Sequence, residues 1–246
     1  MKSAVIIQAR VSSTRLPEKA LKNLCGRPLI SHVIERAKKI QGIDNIILAT
    51  GIKKVNSPLI AIAESHGIEH YTGPENDVLT RYRDCAKNYE CDYIIRITGD
   101  NPFTDYESAS AALNYCILQN ADHCYTAGIP VGTGVEIIRK TALENAFLNG
   151  LKPHHREHVT PYIKENPDIF KLSIFKSPLH NPYPDLRLTI DTDKDFALAE
   201  ILYNALYNGD PIPLTEVIEY VKKNPQVMNI NREIKQRPMT HSSGNE

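Results

Sequence analysis

One feature constrains this chain more than any other. Short runs that are apolar on both faces alternate with segments of helical period. The first is Ala4 to Ala9 (AVIIQA), interrupted only by Gln8. A strand with two apolar faces must be covered on both sides, which is the signature of a buried parallel strand. Pro28 then opens a helical pattern through Ile40, with Ile30, Val33, Ile34 and Ala37 on one face. The rhythm repeats: strand 45–50, helix 58–67 stopped by Gly67, helix 75–90, strand 92–98, helix 105–120 and a short strand 122–126. It predicts an α/β fold, a mostly parallel open sheet with helices on both faces.

The later half is less regular. Residues 134–139 read as a strand. Thr141 to Glu144 has capping-box spacing, which predicts a helix start there. Residues 154–165 read as a helix that Pro161 breaks or restarts. Strands are expected over 170–176 and 186–191, and helices over 193–208 and 214–223. A single domain over 1–230 is expected, with a polar tail, 231–246, expected to be disordered.

Composition removes several function classes. The 29 basic and 29 acidic side chains of the 246 residues cancel, so no basic excess points to nucleic acid. No run of about 18 apolar residues suits a membrane span, and the apolar start is too short for a signal peptide. The five cysteines are scattered and form no C-x-x-C. That argues against a disulfide framework or zinc ribbon and fits a reducing cytoplasm.

In open α/β sheets ligands bind at the carboxyl ends of the strands, so residues just after each strand come first. After strand one, Arg10, Arg15 and Lys19 share ten residues with Ser12, Ser13 and Thr14. Arginine forks, an ammonium and hydroxyls can wrap a polyphosphate. The loop is not a G-x-x-x-x-G-K-[ST] P-loop. The same composition suits a solvated loop; its place after the first strand brings the ligand reading level with that one. Gly99-Asp100-Asn101-Pro102 follows a strand and suits either a Mg2+ ligand or a plain turn. Asp191-Thr192-Asp193 suits either a second ligand or a helix cap. Two acidic strand ends in one sheet can place two carboxylates on one ion.

His154 to His158 fits H-x-x-E-H, with His154 and His158 on one helix face. The pattern is short and no third ligand is identifiable. A cationic cluster near an anionic substrate, or a polar helix start, is favoured over a zinc hydrolase. His155 and Arg156 are the candidates to bind an acidic group. Gly132-Thr133-Gly134-Val135-Glu136 is a weaker signal, for close backbone approach or a turn. No G-x-S-x-G elbow occurs, and nothing supports a covalent serine or cysteine mechanism.

The run IIQARVSSTRLPEKAL resembles the opening of the CMP-sugar synthetases, loosely A-R-x-x-S-x-R-L-P-x-K, and Arg10, Ser13, Arg15, Leu16, Pro17 and Lys19 match it. Four further stretches resemble the SpsF-like branch of spore-coat polysaccharide proteins: Asp77 to Tyr82, Arg96 to Pro102, Arg156 to Thr160 and Leu188 to Asp195. The likeness spans about residues 3–230. It implies a Rossmann-like nucleotide-diphospho-sugar transferase fold and a CTP-dependent cytidylyltransferase acting on an acidic sugar, with release of pyrophosphate. It implies that Ala9, Arg10, Ser13, Arg15 and Lys19 contact CTP, that Asp77 to Arg81 lies near the base or ribose, and that Asp100 and Asp191 hold Mg2+. A homodimer is implied through an irregular region around 125–185. The alternatives are a phosphate or phosphonate acceptor, and a non-catalytic nucleotide-binding subunit.

Overall fold

The computed structural model describes residues 1–12, 16–179, 181 and 183–236. The first strand, β1 (Ser3–Gln8), leads into the loop that carries Lys19 and then a small hairpin, β2 (Asn23–Leu24) and β3 (Arg27–Pro28). There follow α1 (Leu29–Lys38), β4 (Asn45–Thr50), α2 (Lys53–Ser65), β5 (Glu69–Thr72), α3 (Val78–Asn88), β6 (Tyr93–Thr98) and α4 (Tyr106–Leu118). The later half holds β7 (His123–Ala127), β8 (Glu136–Arg139), α5 (Lys140–Asn149), α6 (Pro153–His158), α7 (Pro161–Glu165), β9 (Leu172–Lys176), α8 (Asp193–Leu206) and α9 (Leu214–Lys223).

One sheet has the order β5-β4-β1-β6-β8-β7-β9. β5, β4, β1 and β6 are parallel; β8 runs antiparallel to β6 and β7, and β9 is parallel to β7. The period-2 alternation of β1 explains its central place. Val5 and Ile7 join the cluster formed with α1, α4, α8 and α9. Ala4 and Ile6 join the opposite cluster, with α3, α5 and α7. In α1 the expected face, Ile30, Val33, Ile34 and Ala37, is wholly buried.

Several expectations need correction. Glu69–Thr72 forms a strand that the sequence pattern hides: it is an edge strand, partly exposed and rich in polar residues. The β2–β3 hairpin is likewise unmarked in the pattern; Cys25 and Gly26 turn it with φ of 48° and 84°. α2 begins at Lys53 and carries Pro58 inside, with a kink at Asn56. Thr141 does not cap α5, which starts directly after β8 at Lys140. The 154–165 helix is two helices, broken at Val159 and restarted at Pro161.

The expected strand at 186–191 is not a sheet strand. Leu186, Leu188 and Ile190 are buried, but the segment crosses the strand ends and makes one isolated bridge, Val131 to Arg187. Its backbone bonds go to loops: Leu188 N to Val131 O at 2.8 Å and Ile190 N to Asp100 O at 2.9 Å. Gly132 makes this crossing possible. It has φ of 89°, and a Cβ there would sit 2.4 Å from Thr189 N. The tail expected from 231 meets a buried residue at its start: Asn231 is 3% exposed and donates to Arg187 O. Residues 237–246 lie outside the described residues.

Candidate active site

Three segments far apart in sequence meet where β1 and β6 end. Gln8 and Thr98 are register partners, and Gly99 N donates to Gln8 O at 2.8 Å. A Cβ on Gly99 would lie 2.8 Å from Ala9 Cβ and 3.2 Å from Gln8 O. Glycine therefore lets the Asp100 turn lie against Ala9. The Ile190 bond to Asp100 O brings Asp191 in from the other side.

Lys19 closes the cluster from a 3-10 turn, Lys19–Leu21. Its Nζ donates to Asp100 Oδ2 at 2.6 Å, Asp191 Oδ1 at 2.9 Å and Ile190 O at 3.0 Å. Thr98 Oγ1 donates to the other Asp100 oxygen at 2.5 Å. Burial pushes the Lys19 ammonium down, but the charges of Asp100 and Asp191 outweigh it and the net displacement is upward. For Asp100, burial pushes the carboxyl up, and Lys19 with its hydrogen bonds brings it below the usual aspartate value. A cationic nitrogen held between two carboxylates occupies the kind of position a divalent cation takes.

Asp191 is braced from behind. Arg187 Nη2 donates to Asp191 Oδ2 at 2.7 Å, and Arg187 Nε to Asp195 Oδ1 at 3.0 Å. Asp195 Oδ2 accepts from the backbone of Asp191 and Thr192, each at 3.0 Å, and Thr192 and Asp195 form the capping box of α8. Asn231 Nδ2 bonds both Arg187 O, at 3.0 Å, and Asp195 Oδ1, at 2.9 Å. Thr192 and Asp195 thus cap the helix, while Asp191 turns to Lys19.

The other candidates divide. Arg10 follows Ala9 and donates to Asn76 Oδ1 at 3.3 Å. Ser13 and Arg15 lie outside the described residues. Asp77 caps α3, accepting from Thr80 N at 2.9 Å, and pairs with Arg156 Nη2 at 2.6 Å. Burial raises the Asp77 carboxyl, and the Thr80 bonds with the Arg156 contact bring it below its usual value. Arg81 is 1% exposed and donates to Pro74 O at 2.6 Å, which fixes the loop before α3. Tyr82 beside it donates to Ile6 O at 3.0 Å. Asp77, Arg81, Tyr82 and Arg156 therefore form internal contacts that join two of the sequence motifs. His155 is buried and faces Glu165 at 2.9 Å.

The family profile of cytidylyltransferases matches residues 4–235. The chain belongs to the cytidylyltransferase family. It is 31% identical over 225 residues to the spore coat polysaccharide biosynthesis protein SpsF of Bacillus subtilis, across 89% of this chain and 94% of that protein. It is 32% identical over 189 residues to a 3-deoxy-manno-octulosonate cytidylyltransferase of Chloroherpeton thalassium, across 72% of this chain and 75% of that protein. A cytidylyltransferase structure from Leptospira borgpetersenii serovar Hardjo-bovis superposes with a TM-score of 0.87 at 27% identity, across 97% of this chain and all (100%) of that one.

Sequence reasoning missed several residues around the Lys19 cluster of this cytidylyltransferase. Arg187 carried a signal: it is the one charge inside the apolar run Leu186 to Ile190. Asn56 and Glu75 carried none. Asn56 Oδ1 accepts from Val11 N at 2.9 Å, and Glu75 accepts from Ser12 Oγ at 2.6 Å and Ile52 N at 3.0 Å. These bonds tie the start of α2 and the loop after β5 to the Arg10 loop, through pairings that no local spacing reveals.

Proposed function

We propose that this cytidylyltransferase transfers CMP from CTP to a small acidic, sugar-like acceptor and releases pyrophosphate. The observation that carries the reading is the meeting of Lys19, Asp100 and Asp191 at the strand ends. An acceptor oxygen attacks the α-phosphorus, the bond from that phosphorus to the bridging oxygen breaks with its electron pair leaving on pyrophosphate, and the acceptor hydroxyl proton passes to solvent. The protein's part is placement and charge compensation. Arg10 and Lys19 bind phosphate oxygens, and Lys19 offsets charge growing on the leaving pyrophosphate. The chemistry of the donor set fits Mg2+, with two carboxylates from separate loops meeting at one point; the next residue along, Asn101, has a buried Oδ1 with no hydrogen-bond partner among the described residues. Asp100 and Asp191 would hold the ion. Bound there, Mg2+ supplies Lewis acidity toward the phosphate. Lys19 would then leave the carboxylates for the nucleotide.

The acidity of the acceptor is supported by the octulosonate cytidylyltransferase among the relatives. Thermal unfolding with Mg2+ and each of CTP, UTP, ATP and GTP tests the nucleotide half without an acceptor. At 100 times its dissociation constant, CTP should add about 2.7 kcal/mol. For a chain of this length that is a rise in Tm of about 5–11 °C. The rise should be selective for CTP and should shrink in Lys19→Met. An equal response to all four nucleotides, or none, would overturn the reading. Pyrophosphate release across a panel of acidic sugars then identifies the acceptor; a product with two phosphorus atoms would replace the sugar by a phosphate or phosphonate.

Arg187 gives a second test. Arg187→Met keeps the bulk of the side chain and removes its hold on Asp191 and Asp195. Groups that orient a metal ligand typically matter 10–100-fold, at about that order in metal affinity or activity. The Mg2+ concentration for half-maximal turnover should rise by about that factor, while an unchanged Mg2+ curve would show that Asp191 does not need this support.

A further inference from the structure

Two imidazoles and a carboxylate converge away from the Lys19 cluster. His154 and His155 lie at the start of α6, and Glu165 ends α7. His154 Nε2 is 2.7 Å from Glu165 Oε1, and His155 Nε2 is 2.9 Å from Glu165 Oε2. The three potential ligand atoms all lie within 4.8 Å of one another. The rings stand edge to face with centroids 4.3 Å apart.

A strained turn makes this meeting possible. Thr160 N donates to His158 O at 2.8 Å across Val159, whose φ is 71° and ψ is −55°. That is a γ-turn of the rare form, held by a buried β-branched residue that ordinarily avoids positive φ. Such strain persists only where the surroundings over-determine it. Here it reverses the chain, so that α7 returns Glu165 to the beginning of α6. The H-x-x-E-H spacing pointed to His154, Glu157 and His158. The fold instead groups His154 with its neighbour His155 and supplies Glu165 from the next helix.

We propose that His154, His155 and Glu165 bind a divalent transition ion of the Zn2+ class. Two imidazole nitrogens and a carboxylate oxygen are a donor set that zinc accepts, with water as a fourth ligand. Imidazoles favour zinc, nickel or copper over magnesium, which separates this site from an oxygen-only one. Zinc–ligand bonds of about 2.0–2.1 Å in a tetrahedron place ligand atoms about 3.3 Å apart, so a set already within 4.8 Å needs its shortest contact to open and its widest to close. The ion takes the place of the two Nε2 protons now shared with Glu165; in each neutral ring that single proton moves through solvent to Nδ1, and none is lost. On His155 the shift turns Nδ1 from acceptor to donor and gives up its long 3.4 Å contact from Lys152 N. Lys152 Nζ, 3.5 Å from Glu165 on a largely exposed side chain, swings clear. The ion would tie α6 to α7 and so brace Arg156 and Lys164, which these helices carry. The site stands independently of the reading of the Lys19 cluster.

The test is a titration of tag-free, chelator-treated protein with Co2+ as the spectroscopic probe. Roughly one equivalent of Co2+ should give the visible absorption of a four-coordinate site. Zn2+ should displace it, and Zn2+ should raise the Tm of the metal-free protein. His154→Ala and Glu165→Gln should each weaken Co2+ binding at least about tenfold, whereas Glu157→Gln, from the alternative H-x-x-E-H set, should bind normally. Far-UV circular dichroism checks that each variant is folded, and His154→Gln serves where the alanine variant is not. No saturable Co2+ absorption in the natural chain, wild-type binding in both His154 and Glu165 variants, or loss of binding in Glu157→Gln alone would each overturn the proposal.

Discussion

Replacing Asp100 or Asp191 by asparagine is expected to slow pyrophosphate release at least about tenfold, roughly 1.4 kcal/mol of barrier. Asparagine keeps the shape and removes the charge. Lys19 Nζ sits 2.6 Å from Asp100 and 2.9 Å from Asp191, so both carboxylates act on one point in space. Removing either halves the negative charge available to a cation there, and turns one face of the cluster toward Lys19 with an amide. The loss should fall on kcat more than on CTP affinity, because the nucleotide also contacts Arg10 and Lys19 in this reading. The sign of the pH dependence follows from Asp100. Its carboxyl is held below the ordinary aspartate value of 3.8. The pair therefore contributes fully above the unfolded value and is lost as pH falls through the lower folded value. In the natural chain the cluster should survive mild acid, and Asp100→Asn should reduce the acid-side loss of stability, with Asp191 still paired to Lys19. Full turnover with an unchanged Mg2+ curve in both variants would remove these residues from any metal role.

The same cluster shows what a sequence can and cannot reveal. Lys19 and Asp100 were legible because they follow β1 and β6, and strand ends of an open sheet face one way; Asp191 was singled out by the alternation before it, although that segment is no sheet strand. β1 and α1 were legible because the residues their apolar pattern singles out are buried, although α1 also buries Ser31, His32 and Arg36. Leu186 to Ile190 has strand-like alternation, yet it packs across the strand ends, since alternation reports two-sided burial and not the partner. β5 went unseen because an edge strand needs only one neighbour and tolerates polar residues. The hardest part to read is support. Asp77 and Arg156 belong to separate motifs and form a 2.6 Å ion pair, and Asn231 reaches Arg187 from the far end of the chain. Such pairings join residues by fold alone, so no spacing rule finds them.

Glu136 is the extreme case, and its removal should destabilise the chain more than either aspartate substitution at the Lys19 cluster. The sequence offered it only as the end of a glycine turn and a member of the 134–139 strand. In the structure it lies buried at the start of β8, 2.9 Å from Arg96 Nη1, 3.5 Å from His123 Nε2, and in contact with Lys164. Thr160 Oγ1 donates to it at 3.1 Å. Burial pushes the Glu136 carboxyl up, but His123, Arg96 and Lys164 overcome that and hold it well below the usual glutamate value. Glu136→Ala leaves Arg96 charged in a site where its side chain is only 11% exposed. Breaking a buried pair in this way typically costs about 3–5 kcal/mol. Lys164 is partly exposed and can turn to water, which places the expectation at the lower end, a fall in Tm of about 6–12 °C. Glu136→Gln should fall less, since the amide still accepts from Thr160. The carboxylate's contribution is present above its unfolded value, near 4.5, and is lost as pH falls through the lower folded value. The gap in Tm between natural chain and Glu136→Ala should therefore be widest near neutrality and close in strong acid. A gap below about 1 kcal/mol at neutral pH would mean that water reaches this network and screens it like a surface pair.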